Sequence, residues 1–444
     1  MEAIAQYFKF AERGTNFWTE ARAGITTFMV MAYIIFVNPS ILSAAGLNPV
    51  AGAAATALVA GIMTIAMGLI GNYPLALAAG LGLNGVVAFG LVLGRGLTLE
   101  GAMGVIVLEG LVVTLLVVVG LREAIMAAVP LALKRAIGVG IGLFILFIGF
   151  VNGGAIISPE GGVPPVLPVF PSEPAQFIFW AGMAITLALW VMKVRGALII
   201  SIVVTTVIAV VFNPDLIPKD FVVTPDANTF STLGAFDLSN VFDLGLVTAL
   251  LIIFSIMLTD FFDTMGTVTG VAAEAGLARE DGSVPGIGRV LLVDSVAAIA
   301  GGAAGISSNT TYIESAAGVA EGGRTGFASV ITGALFLVAI LLAPVAGIIP
   351  AYATAPALVL VGYLMFTLVG DIDVRNMEDG IPALLTMMLM PLTYDITVGI
   401  GAGFVSWVLI KVVKGKIGEI HPLMWLVSAA FLVYFAQSWL DKLI

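Results

Sequence analysis

The side chains best placed for chemistry are acidic and amide groups set inside long apolar runs. Asp260 and Asp263 lie in Leu258-Thr-Asp-Phe-Phe-Asp-Thr264, and their i, i+3 spacing puts both carboxylates on one helix face about a turn apart. Two such groups at membrane depth repel one another, so one is expected to hold a proton, which suits proton coupling. A bracing or capping role is the alternative for either, and more so for Asp263. Glu314 follows Ser307, Ser308, Asn309, Thr310, Thr311, Tyr312 and Ile313, the densest polar cluster within the apolar runs. If the chain there is extended before a half-helix, free backbone N–H groups supply donors and Glu314 supplies two acceptor oxygens. Together they suit a flat heterocycle that presents an N–H beside a C=O, although a cap or salt link would also account for the glutamate. Asn84 could touch a ligand or brace a facing break. Glu109 and Asp294 read as bracing groups, and Tyr33, Asn38 and Asn152 carry weaker signals still.

The elements that must hold these groups are membrane spans. Hydrophobic residues make up 60% of the 444-residue chain and charged residues only 10%, which excludes an ordinary soluble domain. Apolar runs fall near 23–42, 51–71, 75–93, 99–120, 136–154, 175–193 and 196–213, then near 246–266, 288–305, 307–320, 325–349, 355–371, 395–413 and 420–441. The first of them is kept as a span, because no cleavable leader pattern precedes it. The third and tenth are poor continuous helices: one carries Gly80, Gly82 and Gly85, and the other is polar. They hold the same ordinal place in two halves of seven. A shift of 220 residues lays Pro130 on Pro350 and Gly142 on Gly362, in one register. An odd number of spans per half makes the second copy inverted, and paired interrupted segments in such repeats point to a midplane site built from broken helices.

Composition removes most other functions. With no cysteine and a single histidine, His421, the chain offers no thiolate or imidazole cluster for a metal and no thiol nucleophile. A net charge of -10 argues against a nucleic-acid partner. No phosphate-cradling G-x-x-x-x-G-K-[ST] run occurs, so transport would be secondary. Arg13 and Arg22, then Arg122, Lys134 and Arg135, then Lys193 and Arg195, then Arg279 and Arg289 all fall on one side, expected to be cytoplasmic together with the N-terminus. Residues 159–174 and 215–243 would lie outside. Lys411, Lys414 and Lys416 break the pattern unless 381–391 dips into the membrane and returns.

Several long stretches resemble the nucleobase–cation symporter-2 superfamily, and within it the AzgA-like purine permeases for hypoxanthine, guanine and adenine. They are Thr19-Glu-Ala-Arg-Ala-Gly-Ile-Thr-Thr-Phe-Met-Val-Met-Ala-Tyr-Ile-Ile-Phe-Val-Asn-Pro39, Gly82-Leu-Asn84, Asp260-Phe-Phe-Asp-Thr-Met-Gly-Thr267, Tyr312-Ile-Glu-Ser-Ala-Ala-Gly-Val-Ala-Glu-Gly-Gly-Arg-Thr-Gly326 and Pro350-Ala-Tyr-Ala-Thr-Ala-Pro356. The resemblance implies an all-α polytopic fold of fourteen transmembrane segments in two inverted sevens, with short extended pieces in segments three and ten. It implies a core from 15–122 and 245–350, a gate from 123–213 and 351–444, and an extracellular loop over 214–244. It carries base-holding carboxylates over to Asp260 and Glu314, and brings Asn84, Tyr312 and Ile313 to the substrate, with Asp263 as a second acid for coupling or structure. Proton symport, no bound cofactor beyond the proton, and a homodimer through the gate are further implications. The chain departs from its relatives at Gly85, Val86 and Val87, where aromatics are usual, and at Tyr394-Asp395-Ile-Thr-Val-Gly399, where the common pattern is Tyr-Ser-Ile-Ala-Asn-Gly.

The function expected is a proton-coupled permease of the cytoplasmic membrane that imports a purine base, guanine or hypoxanthine first, with adenine or xanthine as alternatives. The motion expected is an elevator-like or rocking displacement of core against gate. An anion carrier on the same fold would want Arg or Lys at the site, where the sequence puts acids. An intramembrane enzyme would need a second acidic motif, which the sequence lacks.

Overall fold

The computed structural model describes residues 2–120, 128–157, 167–217, 228–279 and 283–440. Arg122 and part of each expected outer loop lie outside them.

A short N-terminal helix, α1 (Glu2–Tyr7), leads to a first segment made of α2 (Phe17–Met31) and α3 (Ile34–Leu42), broken at residues 32–33. Asn16 starts α2 by accepting the backbone N–H groups of Trp18 and Thr19, and Asn48 does the same for Val50 and Ala51 at the head of α4 (Pro49–Ala66). Segment three is a strand, β1 (Leu77–Ala79), followed by α5 (Leu81–Gly85), which continues in wider π-type turns to Leu93. Then come α6 (Leu99–Val118), α7 (Leu131–Asn152), a small antiparallel pair β2 (Ile156–Ile157) and β3 (Leu167–Pro168), α8 (Pro174–Val191) and α9 (Ala197–Phe212).

The second half repeats the plan. It contains α10 (Leu246–Glu274), α11 (Ile287–Ala303), β4 (Asn309–Thr311) leading into α12 (Ser315–Ala320), α13 (Gly326–Ala339) and α14 (Ala351–Phe366). Three further helices close the chain: α15 (Met377–Thr393), α16 (Ile396–Val413) and α17 (Pro422–Leu440). Among the described residues, nine helices are long and apolar enough to cross a bilayer by themselves.

The expected repeat register reappears as geometry. Pro130 and Pro350 both occupy the N-cap of their helices, α7 and α14. Gly142 and Gly362 meet where those helices cross: a Cβ on Gly142 would lie 2.8 Å from the Gly362 carbonyl oxygen, and one on Gly362 would lie 2.5 Å from that of Gly142. Only glycine lets the two backbones approach so closely, the usual way helices pack without a hydrophobic driving force. The helices divide by their packing into two groups. The first joins α2 to α4, α6 and α11 to α13 around the two strands; the second joins α7 to α9 and α14 to α17. Helix α10 touches both groups, with α6, α12 and β4 on one side and α7, α16 and α17 on the other.

The stretch 381–391 does not turn back. Helix α15 runs antiparallel along the whole of α16, with Met390 against Gly399, Thr386 against Gly403 and Glu378 bonded to Lys411 at 2.6 Å. This places Lys411, Lys414 and Lys416 at the end of the bundle where Arg135, in the first turns of α7, donates to the Asp371 carbonyl. The three lysines therefore join Arg135 at one end, and one more helix than expected runs between that end and the other.

Candidate functional site

The two interrupted segments meet at the centre. Strands β1 and β4 pair antiparallel, with Leu77 opposite Thr311 and Ala79 opposite Asn309. The pairing is extended by Gly80 N–H to the Ser308 carbonyl at 2.8 Å and Tyr312 N–H to the Ala76 carbonyl at 2.9 Å. Side chains cover what the short strands leave over. Thr64 Oγ1 accepts the Leu77 N–H, and Ser315 Oγ accepts the Ala76 N–H. An unpaired backbone group at this depth costs several kcal/mol, so two broken helices can cross here only by satisfying one another.

Asp294 of α11 fixes this crossing to α10. Its Oδ1 accepts the Thr311 N–H at 3.0 Å and its Oδ2 accepts the Thr264 hydroxyl at 2.7 Å, while Thr264 also bonds the Thr310 hydroxyl at 2.8 Å. The bracing role expected of Asp294 is thus visible as specific bonds. Glu109 is fully buried in α6, and Asn38 donates to Thr56 and to the Ile306 carbonyl.

Glu314 sits at the head of α12, partly exposed, and accepts the Tyr33 hydroxyl on Oε1 at 2.7 Å. Tyr33 comes from the break in the first segment and is fully buried. Its sequence signal was weak, because nothing local links it to a residue 281 positions away. The break itself, next to a tyrosine in a long apolar run, is the feature that could have found it. Tyr312 is buried and its hydroxyl donates to the Ala79 carbonyl, whereas Ile313 is 54% exposed.

The two segment-eight acids part company. Asp260 is buried at 1% exposure, and Asp263 is exposed. Asp263 lies close enough to Asp294 and Glu314 for their charges to act on one another. From Leu251 to Phe261, helix α10 is almost continuously buried; beyond that Asp263, Gly266, Gly270 and Glu274 form an exposed stripe toward its C-terminal end. Since both flanks of α10 are packed, this stripe faces a crevice between the two helix groups. Ile313 reaches across it to within 3.7 Å of where a Gly270 Cβ would stand. Side-chain exposure thus runs opposite to the expectation that Asp260 meets the ligand and Asp263 braces.

Asn84 is wholly buried in α5, and neither of its amide atoms has a hydrogen-bond partner among the described residues. Val86 and Val87 are also buried, at 4% and 0% exposure, so they pack within the protein and do not line the crevice. The aromatic surface near this segment comes instead from Phe89, Phe144 and Phe147 around the Tyr394 ring, with centroids 5.3–5.8 Å away. Asp395, the other departure, caps α16 by accepting the Thr397 and Val398 N–H groups and pairs with Arg95. No group of acids and histidine among the described residues has the makings of a metal site.

A family model described as a permease family matches residues 19–402. The guanine/hypoxanthine permease PbuG of Bacillus subtilis is 39% identical over 440 residues, covering 97% of this chain and 98% of its own. The adenine permease AdeP of Escherichia coli is 37% identical over 432 residues, covering 97% and 95%. Among solved structures, the transmembrane domain of the cyanobacterial bicarbonate transporter BicA superposes with a TM-score of 0.63 at 17% identity, over 87% of this chain and 97% of that one.

Proposed function

The chain belongs to this permease family, a transporter and not an enzyme, and on that premise we propose that it carries a purine base, guanine or hypoxanthine, into the cell together with protons. The supporting observation is the placement of Glu314 and Asp263 on one crevice between two helix groups, beside crossed half-segments. Tyr33 holds one Glu314 oxygen, which leaves the other to accept an N–H from a lactam edge. Asn84 is wholly buried, but its amide donor and acceptor both lack a hydrogen-bond partner among the described residues, and we assign them to the neighbouring carbonyl or ring nitrogen of the base. Asp263 is the carboxylate with access to protons from the open end, and Asp260 contributes from the packed side of the same helix.

The carrier works by moving a core, 15–122 with 245–350, against a gate, 123–213 with 351–444, and the Lys411–Lys416 end faces the cytoplasm as basic ends of spans do. A membrane of the cell envelope surrounds it, and a homodimer would form through the gate. The solved likeness to a bicarbonate transporter does not favour an anion here. Among the described residues no Lys or Arg pairs with Asp263 or Glu314, and an anion would meet two carboxylates without a counter-charge.

The test is a thermal-shift panel of guanine, hypoxanthine, adenine, xanthine, pyrimidines and bicarbonate on purified protein, followed by uptake into proteoliposomes with and without an inward proton gradient. Stabilisation by an anion and by no base would overturn the substrate, and gradient-insensitive uptake would overturn the coupling.

A further inference from the structure

The crevice is open toward the C-terminal end of α10 and closed where that helix is buried, from Leu251 to Phe261. That closed end is identified by its neighbours: α10 follows residues 240–244, and Asn240 Oδ1 accepts the Thr98 N–H and hydroxyl in the turn after segment three. Arg95 stands in the same turn. Its guanidinium, largely buried at 17% side-chain exposure, pairs with Asp395 and donates to the Tyr434 hydroxyl while lying over the Tyr434 ring at 5.5 Å. Asp395 begins α16, and Tyr434 is on α17. Beneath this ion pair, the Phe89 ring meets Tyr394 edge to face, and a Cβ on Gly90 would stand 3.5 Å from the Tyr394 carbonyl oxygen. The half-helix of segment three is therefore tied to the second helix group by a charge pair and an aromatic seat. The tie lies about 24 Å along α16 from the lysine cluster, at 1.5 Å per residue.

We propose that Arg95, Asp395 and Tyr434 form a latch that closes the bundle at this end, and that it opens when the two helix groups move past each other. A largely buried charge pair is suited to this work. Separating it leaves two charges to be solvated, so it resists opening until the open end closes and water reaches the latched one. Asp395 is then one half of the latch, and its second oxygen, capping α16, keeps it aimed at Arg95. The proposal rests on the reading of the chain as a carrier with two moving groups, but not on which substrate it carries.

The absence of cysteine makes the test direct. Two single-cysteine reporters are placed in proteoliposomes, Gly90→Cys at the latched end and Gly266→Cys in the open crevice, where a new Cβ meets nothing within 4 Å. Each is labelled with a membrane-impermeant maleimide in the otherwise unaltered chain and in Asp395→Asn, Arg95→Gln and the charge swap Arg95→Asp with Asp395→Arg. No base is added, so a wrong substrate assignment leaves the result readable. The single variants should label Gly90→Cys about five- to tenfold faster and Gly266→Cys correspondingly slower, a typical coupling between two states. The swap should move both rates back toward those of the parent. Unchanged rates in both single variants would overturn the latch. So would a rise at both reporters together, which signals general loosening, or a swap that behaves like the single variants.

Discussion

The Tyr33 hydroxyl donates to Glu314 Oε1 at 2.7 Å, joining the break in the first segment to the start of the half-helix in the tenth. A buried phenol can hold a carboxylate in one orientation without taking its charge. Tyr33→Phe should therefore weaken base binding by roughly ten- to a hundredfold, the effect of losing one hydrogen bond to a charged group at ~1.5–3 kcal/mol. Glu314→Gln should weaken it further, since the acceptor itself is changed. Titration calorimetry on folded protein makes the comparison, and a Tyr33→Phe affinity equal to that of Glu314→Gln would show that the phenol touches the base itself.

Asp294 joins two elements that bear the acids of the crevice, through Thr264 on α10 and the Thr311 amide of β4. Asp294→Ala leaves the buried Thr311 N–H without its acceptor, at ~1–3 kcal/mol, and Thr264 with the Thr310 hydroxyl in place of its carboxylate partner. A lower midpoint of thermal unfolding together with weakened base binding is the expected outcome. Loss of stability with unchanged affinity would mean that the crossing keeps its shape without this brace.

Asp263 and Asp260 should separate cleanly. Asp263→Asn is expected to remove gradient-driven accumulation of base while folded yield stays near that of the parent, because the side chain is exposed. Asp260→Asn is expected to act first on yield and stability, because the group is buried. Uptake at equal amounts of folded protein distinguishes them. Accumulation surviving in Asp263→Asn but lost in well-folded Asp260→Asn would return the coupling role to Asp260.

At the lysine end, hydrogen bonding to the Lys411 ammonium holds the Glu419 carboxyl below its usual range. A folded-state value below the unfolded one contributes stability above the unfolded value, and that contribution fades as pH falls through the folded one. Glu419→Gln should therefore lower the unfolding midpoint slightly at pH 7, and the difference from the parent should shrink as the pH is taken below about 4. Because Glu419 is 56% exposed, the effect should also diminish in high salt. A difference that grows on acidification would refute the assignment.

Much of this protein is legible in its sequence because the signals are local. Apolar runs of span length, glycines and polar residues interrupting the third and tenth of them, and a register that lays Gly142 on Gly362 need no knowledge of what packs where. Membrane residence, the paired breaks and the family resemblance all follow from such features. The extent of α15 was harder, since two prolines within 17 residues look like a turn until α16 is seen to run alongside the whole helix. What the tertiary structure alone decided is which polar groups face one another. Asp260 and Asp263 stand only about 60° apart on α10, and the rotation of that helix between its two neighbouring groups buries one and exposes the other. Tyr33 reaches Glu314, and Arg95 reaches Asp395, across about 300 residues of intervening chain. Hydropathy records whether a residue prefers to be buried, but not the azimuth of its helix or the identity of a distant partner, because these depend on how whole segments pack.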